Sequence, residues 1–172
     1  MVAAFALMGA NTGMKFTLTT QEKEYRSGEP IPMTWKLFNG TDRTWLVYRE
    51  LVGAGFDQIS LRLEGPAGET TFQPSNPEVA ASMLSACWLP PGRTLERKFE
   101  LSKWTTIYHY AMPPGSYRIS GTFEHPGSRF QQILQAVSAP VCGEGTFLKK
   151  HAGPEEILDA TLVSPAITFT VR

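Results

Sequence analysis

The residues able to do chemistry are few and far apart along the chain. Cys87 and Cys142 lack the C-x-x-C spacing of a zinc ribbon or a thioredoxin-like site, so they fit either one disulfide in an oxidising compartment or two buried thiols in cytosol. His109, His125 and His151 have no ligand spacing between them and read as surface or core residues, so no metal and no cofactor is expected. Glu155, Glu156 and Asp159 have the composition of a paired-carboxylate site, but acids in the first turn of a helix opening at Pro154 account for them as well. No G-x-S-x-G, S-x-x-K, H-E-x-x-H or Gly-rich phosphate loop occurs. A hydrolase using Cys87 or Cys142 as nucleophile with a histidine as base is a further alternative. The expectation is a protein that is not an enzyme. Asn39-Gly40-Thr41 is a glycosylation sequon, which has meaning only in a eukaryotic secretory pathway. The run from Lys103-Trp104 to Tyr108-His109-Tyr110 is aromatic, suiting either a carbohydrate platform or simple packing beneath one end of the fold.

The elements that would position these residues are strands. Side chains alternate between apolar and polar with a period of two, which puts successive residues on opposite faces of a pleated strand. Phe16 and Leu18 face inward in a first strand, and Ile31, Met33, Trp35 and Leu37 in a second over 30–39. A third, over 44–50, is apolar on both faces, as a central strand would be. Ile59, Leu61 and Leu63 mark a fourth strand, Leu95, Phe99 and Leu101 a fifth, and Tyr117, Ile119 and Phe123 a sixth. Ile167, Phe169 and Val171 close the chain. Turn residues such as Gly65-Pro66-Ala67-Gly68, Pro90-Pro91-Gly92 and Pro113-Pro114-Gly115 lie between them. A single sheet would leave its apolar face wet, so the pattern predicts two antiparallel sheets face to face.

The 172 residues, 42% hydrophobic and 19% charged, suit one domain with its own core, and 15 Gly with 13 Pro favour short strands over long helices. The 16 basic residues balance 16 acidic ones, which removes the basic field that nucleic acid or anionic lipid would require. Residues 1–10 form an apolar run too short for the roughly 20 residues of a membrane span, so no membrane span is expected. The run has the apolar character of a secretory signal without a preceding Lys or Arg, and equally suits a first strand. Residues 1–13 are set apart on this ground and 14–172 taken as the domain. Two stretches do not alternate. In 70–89 a short helical turn is expected near 77–84, and in 125–164 helical spacing occurs over 129–137 and a helix start at Pro154-Glu155-Glu156-Ile157-Leu158.

At Pro113-Pro114-Gly115-Ser116-Tyr117 the chain resembles the entry into the sixth strand of immunoglobulin-like sandwiches, where a tyrosine hydroxyl closes the corner. With Gly28-Glu29-Pro30-Ile31, Leu89-Pro90-Pro91-Gly92 and the closing strand from Ser164-Pro165, it is similar to bacterial immunoglobulin-like domains and to the intracellular proteinase inhibitor family. The resemblance implies an all-β, immunoglobulin-like antiparallel β-sandwich of about seven strands, with two long loop insertions containing short helices. Tyr117, Gly115 and Trp35 take structural roles.

In such a sandwich alternating strand direction brings the connections 39–43, 65–92 and 125–164 to one pole. Cys87 and Cys142 lie in the two long ones, which favours a disulfide closing a 55-residue separation for roughly 4 kcal/mol in the chain-entropy model. An exported, extracytoplasmic location follows from the bridge, with cytoplasm as the alternative. Loops on a rigid sandwich are where recognition concentrates. The candidate binding residues are Asn39, Thr41, Asp42, Arg43, Phe72, Trp88, Arg129, Phe130, Lys149 and His151. The expectation is a non-enzymatic binding or accessory domain with a protein partner and no nucleic acid. The alternatives are a protease inhibitor using the same three loops, although Asn39-Gly40-Thr41 only faintly resembles the first-loop motif of chagasin-type inhibitors, and a hydrolase. A further reading makes the insertions a cap, burying Phe72, Trp88, Phe130 and Phe147 as a satellite core.

Overall fold

The computed structural model describes residues 13–49, 59–72, 85–101, 112–125, 139–143, 147–148 and 156–172. Thirteen strands run through them. The seven expected from alternation are β1 (Met14–Thr20), β3 (Pro32–Asn39), β4 (Trp45–Arg49), β5 (Ile59–Gly65), β8 (Thr94–Glu100), β9 (Gly115–His125) and β13 (Ile167–Val171). The others are β2 (Glu24–Tyr25), β6 (Gly68–Phe72), β7 (Ser85–Leu89), β10 (Ala139–Pro140), β11 (Phe147–Leu148) and β12 (Ala160–Val163).

Strands β1, β3 and β8 form one antiparallel sheet, and β2, β13, β9, β5 and β6 the other, with β12 also paired to β9. Phe16, Leu18, Met33, Trp35, Leu37 and Leu95 from the first sheet meet Ile59, Leu61, Leu63, Tyr117, Ile119, Phe123, Phe169 and Val171 from the second in one buried core. The outward positions are polar and paired, with Lys36 2.9 Å from Glu96 and Arg62 2.5 Å from Glu69. Such exposed pairs add little stability. The sandwich is immunoglobulin-like in its order, down to the opening of the chain. After β1 leaves the first sheet, β2 joins the second parallel to β13, and Arg172 N donates to Tyr25 O at 2.9 Å.

The register defines two poles. Met14 opposes Asn39 and Phe38 opposes Thr94 in one sheet, while Ile59 opposes Phe123 and Ala160 opposes His125 in the other; these residues share the first pole. At the second pole Val171 opposes Gly115 and Glu64 opposes Arg118. Here Tyr117 Oη donates to Pro113 O at 2.7 Å, and its ring stacks on Phe169 with centroids 5.5 Å apart. The β5–β6 turn closes over this corner. A Cβ on Gly65 would run into the Tyr117 ring, and one on Gly115, whose φ is 154°, into Pro66, so only glycine fits at either place.

Three expectations are corrected. The strand over 44–50 is not a reversal between sheets: β4 continues β3 and pairs with β7, which precedes β8, so both pairs belong to one long ladder interrupted at 40–44. The connection 65–92 does not lie wholly at the first pole, because its turn at 65–68 sits against the tyrosine corner and β6 carries the chain back. Ile157 and Leu158, expected in a first helical turn, run beside β4: Ile157 bridges Leu46 in parallel, and Leu158 N donates to Leu46 O at 3.0 Å. The segment 1–12 and the helical spacings at 77–84 and 129–137 lie outside the described residues.

Candidate functional site

The first pole is built around an interruption in the long ladder. Phe38 opposes Thr94 and Trp45 opposes Leu89, so β3 and β4 are separated by 40–44, β7 and β8 by 90–93, and the two arms are joined through Asn39. Its backbone stays in the ladder, with Asn39 N donating to Arg93 O at 3.0 Å and Gly92 N to Asn39 O at 2.7 Å. Its side chain completes the rest. Nδ2 donates to Arg43 O at 2.7 Å and Leu89 O at 2.8 Å, while Oδ1 accepts from Thr41 N at 3.0 Å and Thr41 Oγ1 at 2.6 Å. Both amide protons are used and the residue is 0% exposed. The folded sequon therefore offers its nitrogen to no glycan. Trp45 Nε1 adds a bond of 2.9 Å to Thr41 Oγ1, fixing the start of β4.

Beyond the interruption the β4–β7 pair divides two cores, as its two apolar faces require. Val47, Cys87 and Leu89 face the main core. Leu46, Ala86 and Trp88 face a second cluster completed by Ala139 and Ile157 from the insertion between β9 and β12. Cys87 and Cys142 form a disulfide. Beside it Trp88 bridges Val141 in parallel, and Cys142 N donates to Trp88 O at 2.8 Å. The insertion is thus attached twice: at 139–142 to β7 through the disulfide, and at 156–158 to β4.

His125, the last residue of β9, reinforces the second attachment. Its Nδ1 lies 2.5 Å from Leu158 O, and its ring is tilted 31° against Phe123 at 6.1 Å. It is 1% exposed, and the lost hydration pushes its pKa down to about 4, opposed by its backbone hydrogen bonds and the negative charge of Asp159. The imidazole is neutral at pH 7, with Nδ1–H donating to the carbonyl. No group of three or more His, Cys, Asp or Glu that could hold a metal ion occurs among the described residues.

The candidate binding residues are dispersed by this arrangement. Asp42 and Arg43 are exposed on the interruption and Thr41 is half-buried beside them. Asn39 is wholly committed to the ladder. Phe72 lies in the main core and Trp88 in the second. Arg129, Phe130, Lys149 and His151 lie outside the described residues, as do His109 and the 103–110 aromatic run. Among the described residues Val163 is the large apolar side chain that is exposed, at 65%, and it stands on β12 away from the interruption. Of the residues in the capping expectation, Trp88 lies in the second cluster with Leu46, Ala86, Ala139 and Ile157 and Phe72 in the main core, while Phe130 and the Phe147 side chain lie outside what the structure describes. The signal for Leu46 was present in the two apolar faces of 44–50.

No protein-family model and no curated protein matches the chain. Among solved structures it is similar to the sporulation control protein Spo0M from Bacillus subtilis, at 9% identity and a TM-score of 0.41, covering 92% of this chain and 49% of that one. It is also similar to the CARDB domain of the PF1109 protein from Pyrococcus furiosus, at 13% identity and a TM-score of 0.36, covering 92% and 87%. A β-glucosidase from Listeria innocua overlaps at 15% identity and a TM-score of 0.40, covering 92% of this chain and 16% of the enzyme. The chain thus spans about half the length of Spo0M and a small part of the glucosidase.

Proposed function

We propose that the chain is a non-enzymatic immunoglobulin-like binding or accessory domain of an oxidising compartment, contacting a protein partner through its first pole. The observation that carries this reading is the Cys87–Cys142 disulfide, which ties two insertions together at one end of the sandwich. A closed disulfide in the native fold supports an extracytoplasmic location. The energetic logic is pre-organisation: loops already fixed in the free protein lose less entropy on binding. Asp42 and Arg43 are exposed charges at the interruption, with Arg93 exposed on the facing segment. Because their flanking backbone is held by Asn39, they offer a fixed donor and acceptor. Arg129, Phe130, Lys149 and His151 of the connection 125–164 are proposed to add to the contact. Among the described residues no helix is long and apolar enough to cross a membrane.

Photocrosslinking in an extracytoplasmic fraction, periplasmic or secreted, tests this reading. A benzophenone side chain at position 43 is expected to capture a discrete protein, whereas the same group at Lys98, exposed on the outer face of β8, captures none. Equal adducts from both positions, or adducts from position 98 alone, would remove the pole from consideration.

A further inference from the structure

The two attachments of the insertion differ in kind. At 156–158 the chain is tied to β4 by the Leu46–Ile157 bridge and the Leu158 N to Leu46 O bond, and it is anchored again by His125 before entering β12. At 139–142 the ties to β7 among the described residues include the Trp88–Val141 bridge, the Cys142 N to Trp88 O bond and the disulfide itself. Ala139 covers the second cluster from this side and Ile157 from the other. Strands β10 and β11 pair with each other over two residues apiece, too short a ladder to hold the segment alone.

We propose that the Cys87–Cys142 disulfide is a redox latch: its reduction releases 139–142 from β7 and uncovers the Leu46–Ala86–Trp88 face, while 156–158 stays docked as the hinge. A dithiol supplies the two electrons and two protons. Its thiolate attacks the sulfur of Cys142, the more exposed residue at 6% against 0% for Cys87, and expels the Cys87 thiolate, which takes up a proton. The second thiol of the reagent then displaces Cys142 and closes a cyclic disulfide, leaving two protein thiols. With the covalent tie gone, the Trp88–Val141 bridge with its Cys142 N to Trp88 O bond and the packing of Ala139 are what remain among the described residues to hold the cover. Segments held by so few contacts open locally without global unfolding. The latch is independent of any partner, so its test does not depend on the binding role of the pole.

The decisive measurement is amide hydrogen exchange by NMR on the whole chain, oxidised and after treatment with dithiothreitol, with both free thiols confirmed by alkylation. The Cys142 amide is expected to exchange at least ~10-fold faster once reduced, while the Leu158 amide and the β3–β8 ladder stay within about twofold. Tryptophan emission should shift to the red as Trp88 becomes wet. The Cys87→Ser/Cys142→Ser variant should reproduce the reduced pattern without reagent. The proposal fails if the Cys142 amide stays protected after both thiols are free. It fails equally if the Leu158 and β3–β8 amides lose protection together with it, or if the disulfide resists dithiothreitol until the protein is denatured. Failure of the serine variant to fold also counts against it, because the latch requires a sandwich that stands without the bond.

Discussion

The sandwich and the arm beyond Asn39 are built from the same kind of strand but held in different ways. In the sandwich, β5 and β9 stay in register from Ile59–Phe123 to Glu64–Arg118, and β1, β3 and β8 run in register along their length. In the arm, β4 and β7 form a two-stranded ladder among the described residues, and the insertion is fastened by isolated bridges, a disulfide and one histidine. A long ladder spreads its stability over many bonds, so losing one is shared. A region fastened at a few points depends on each of them. The difference predicts cooperative melting of the sandwich and separable opening of the arm.

The sharpest way to break this comparison sets one buried leucine from each region side by side. Leu37 and Leu46 are both 0% exposed, the first in the main core and the second beneath the insertion. Leu37→Ala is expected to lower global stability by about 2–5 kcal/mol in urea titration. Leu46→Ala should instead raise amide exchange across 85–89 and 139–142, with a clearly smaller change in the global midpoint. Equal global losses would show that arm and sandwich fold as one unit.

His125 sharpens the comparison because it ends a sandwich strand and holds the arm. Its pKa is lowered from 6.5 to about 4 in the fold, so the unfolded chain takes up the proton first. Its contribution is complete above pH 6.5 and declines as pH falls towards 4, below which it changes no further. The full span amounts to about 3 kcal/mol. Comparing urea midpoints for the wild type and His125→Gln between pH 7.5 and pH 4 isolates this from the carboxylates, which titrate in both. A wild-type curve parallel to that of the variant would contradict a neutral buried ring.

The sandwich was legible because each of its long strands buries one face, and burial of one face is what period-two alternation records. β1 and β3 show this plainly, as do β5 and β9. β6 was missed because it buries only Phe72. β7 was missed for the opposite reason: Ala86, Cys87, Trp88 and Leu89 are all buried, so nothing alternates. Counting reversals from alternation makes 44–50 a strand of its own and omits 68–72, whereas β4 continues β3 and β6 adds a reversal. The two differences cancel, which is why Cys87 and Cys142 do meet, although the 65–68 turn falls at the other pole. The role of Asn39 was illegible for a further reason. Its bonds to Leu89 O and Arg43 O depend on the interruption, which no local pattern encodes.

Asn39→Ala removes the donor serving the buried Leu89 O, while Arg43 O keeps Thr41 Oγ1 at 3.3 Å, and is expected to cost about 2 kcal/mol, the penalty of one buried carbonyl left without a partner. The damage should concentrate in the arm, read as faster exchange at the β4–β7 amides than at β1–β3. Asn39→Asp should fare no better, because it keeps the acceptor for Thr41 but faces two carbonyls with a carboxylate. If Asn39→Asp retained wild-type stability, the side chain would not be what joins the arms.

The sandwich contains its own irregularity, which offers the smallest and most discriminating test. β12 and β13 lie on the same side of β9, but Val163 opposes Thr122 whereas Ile167 opposes Ile119, so one extra residue is accommodated between them. Ser164 closes this bulge as Asn39 closes the other: its N donates to Gly121 O at 2.8 Å, and its Oγ accepts from Gly121 N at 2.9 Å. Ser164→Ala keeps the first bond and strands only the Gly121 amide, so a loss of about 1 kcal/mol is expected. Because long ladders flank this bulge on both sides, exchange should rise at the Gly121 amide alone and not spread along β9. Spreading of that kind would mean that a single side-chain bond governs register in the sandwich as it does in the arm, and the distinction between the two regions would fall.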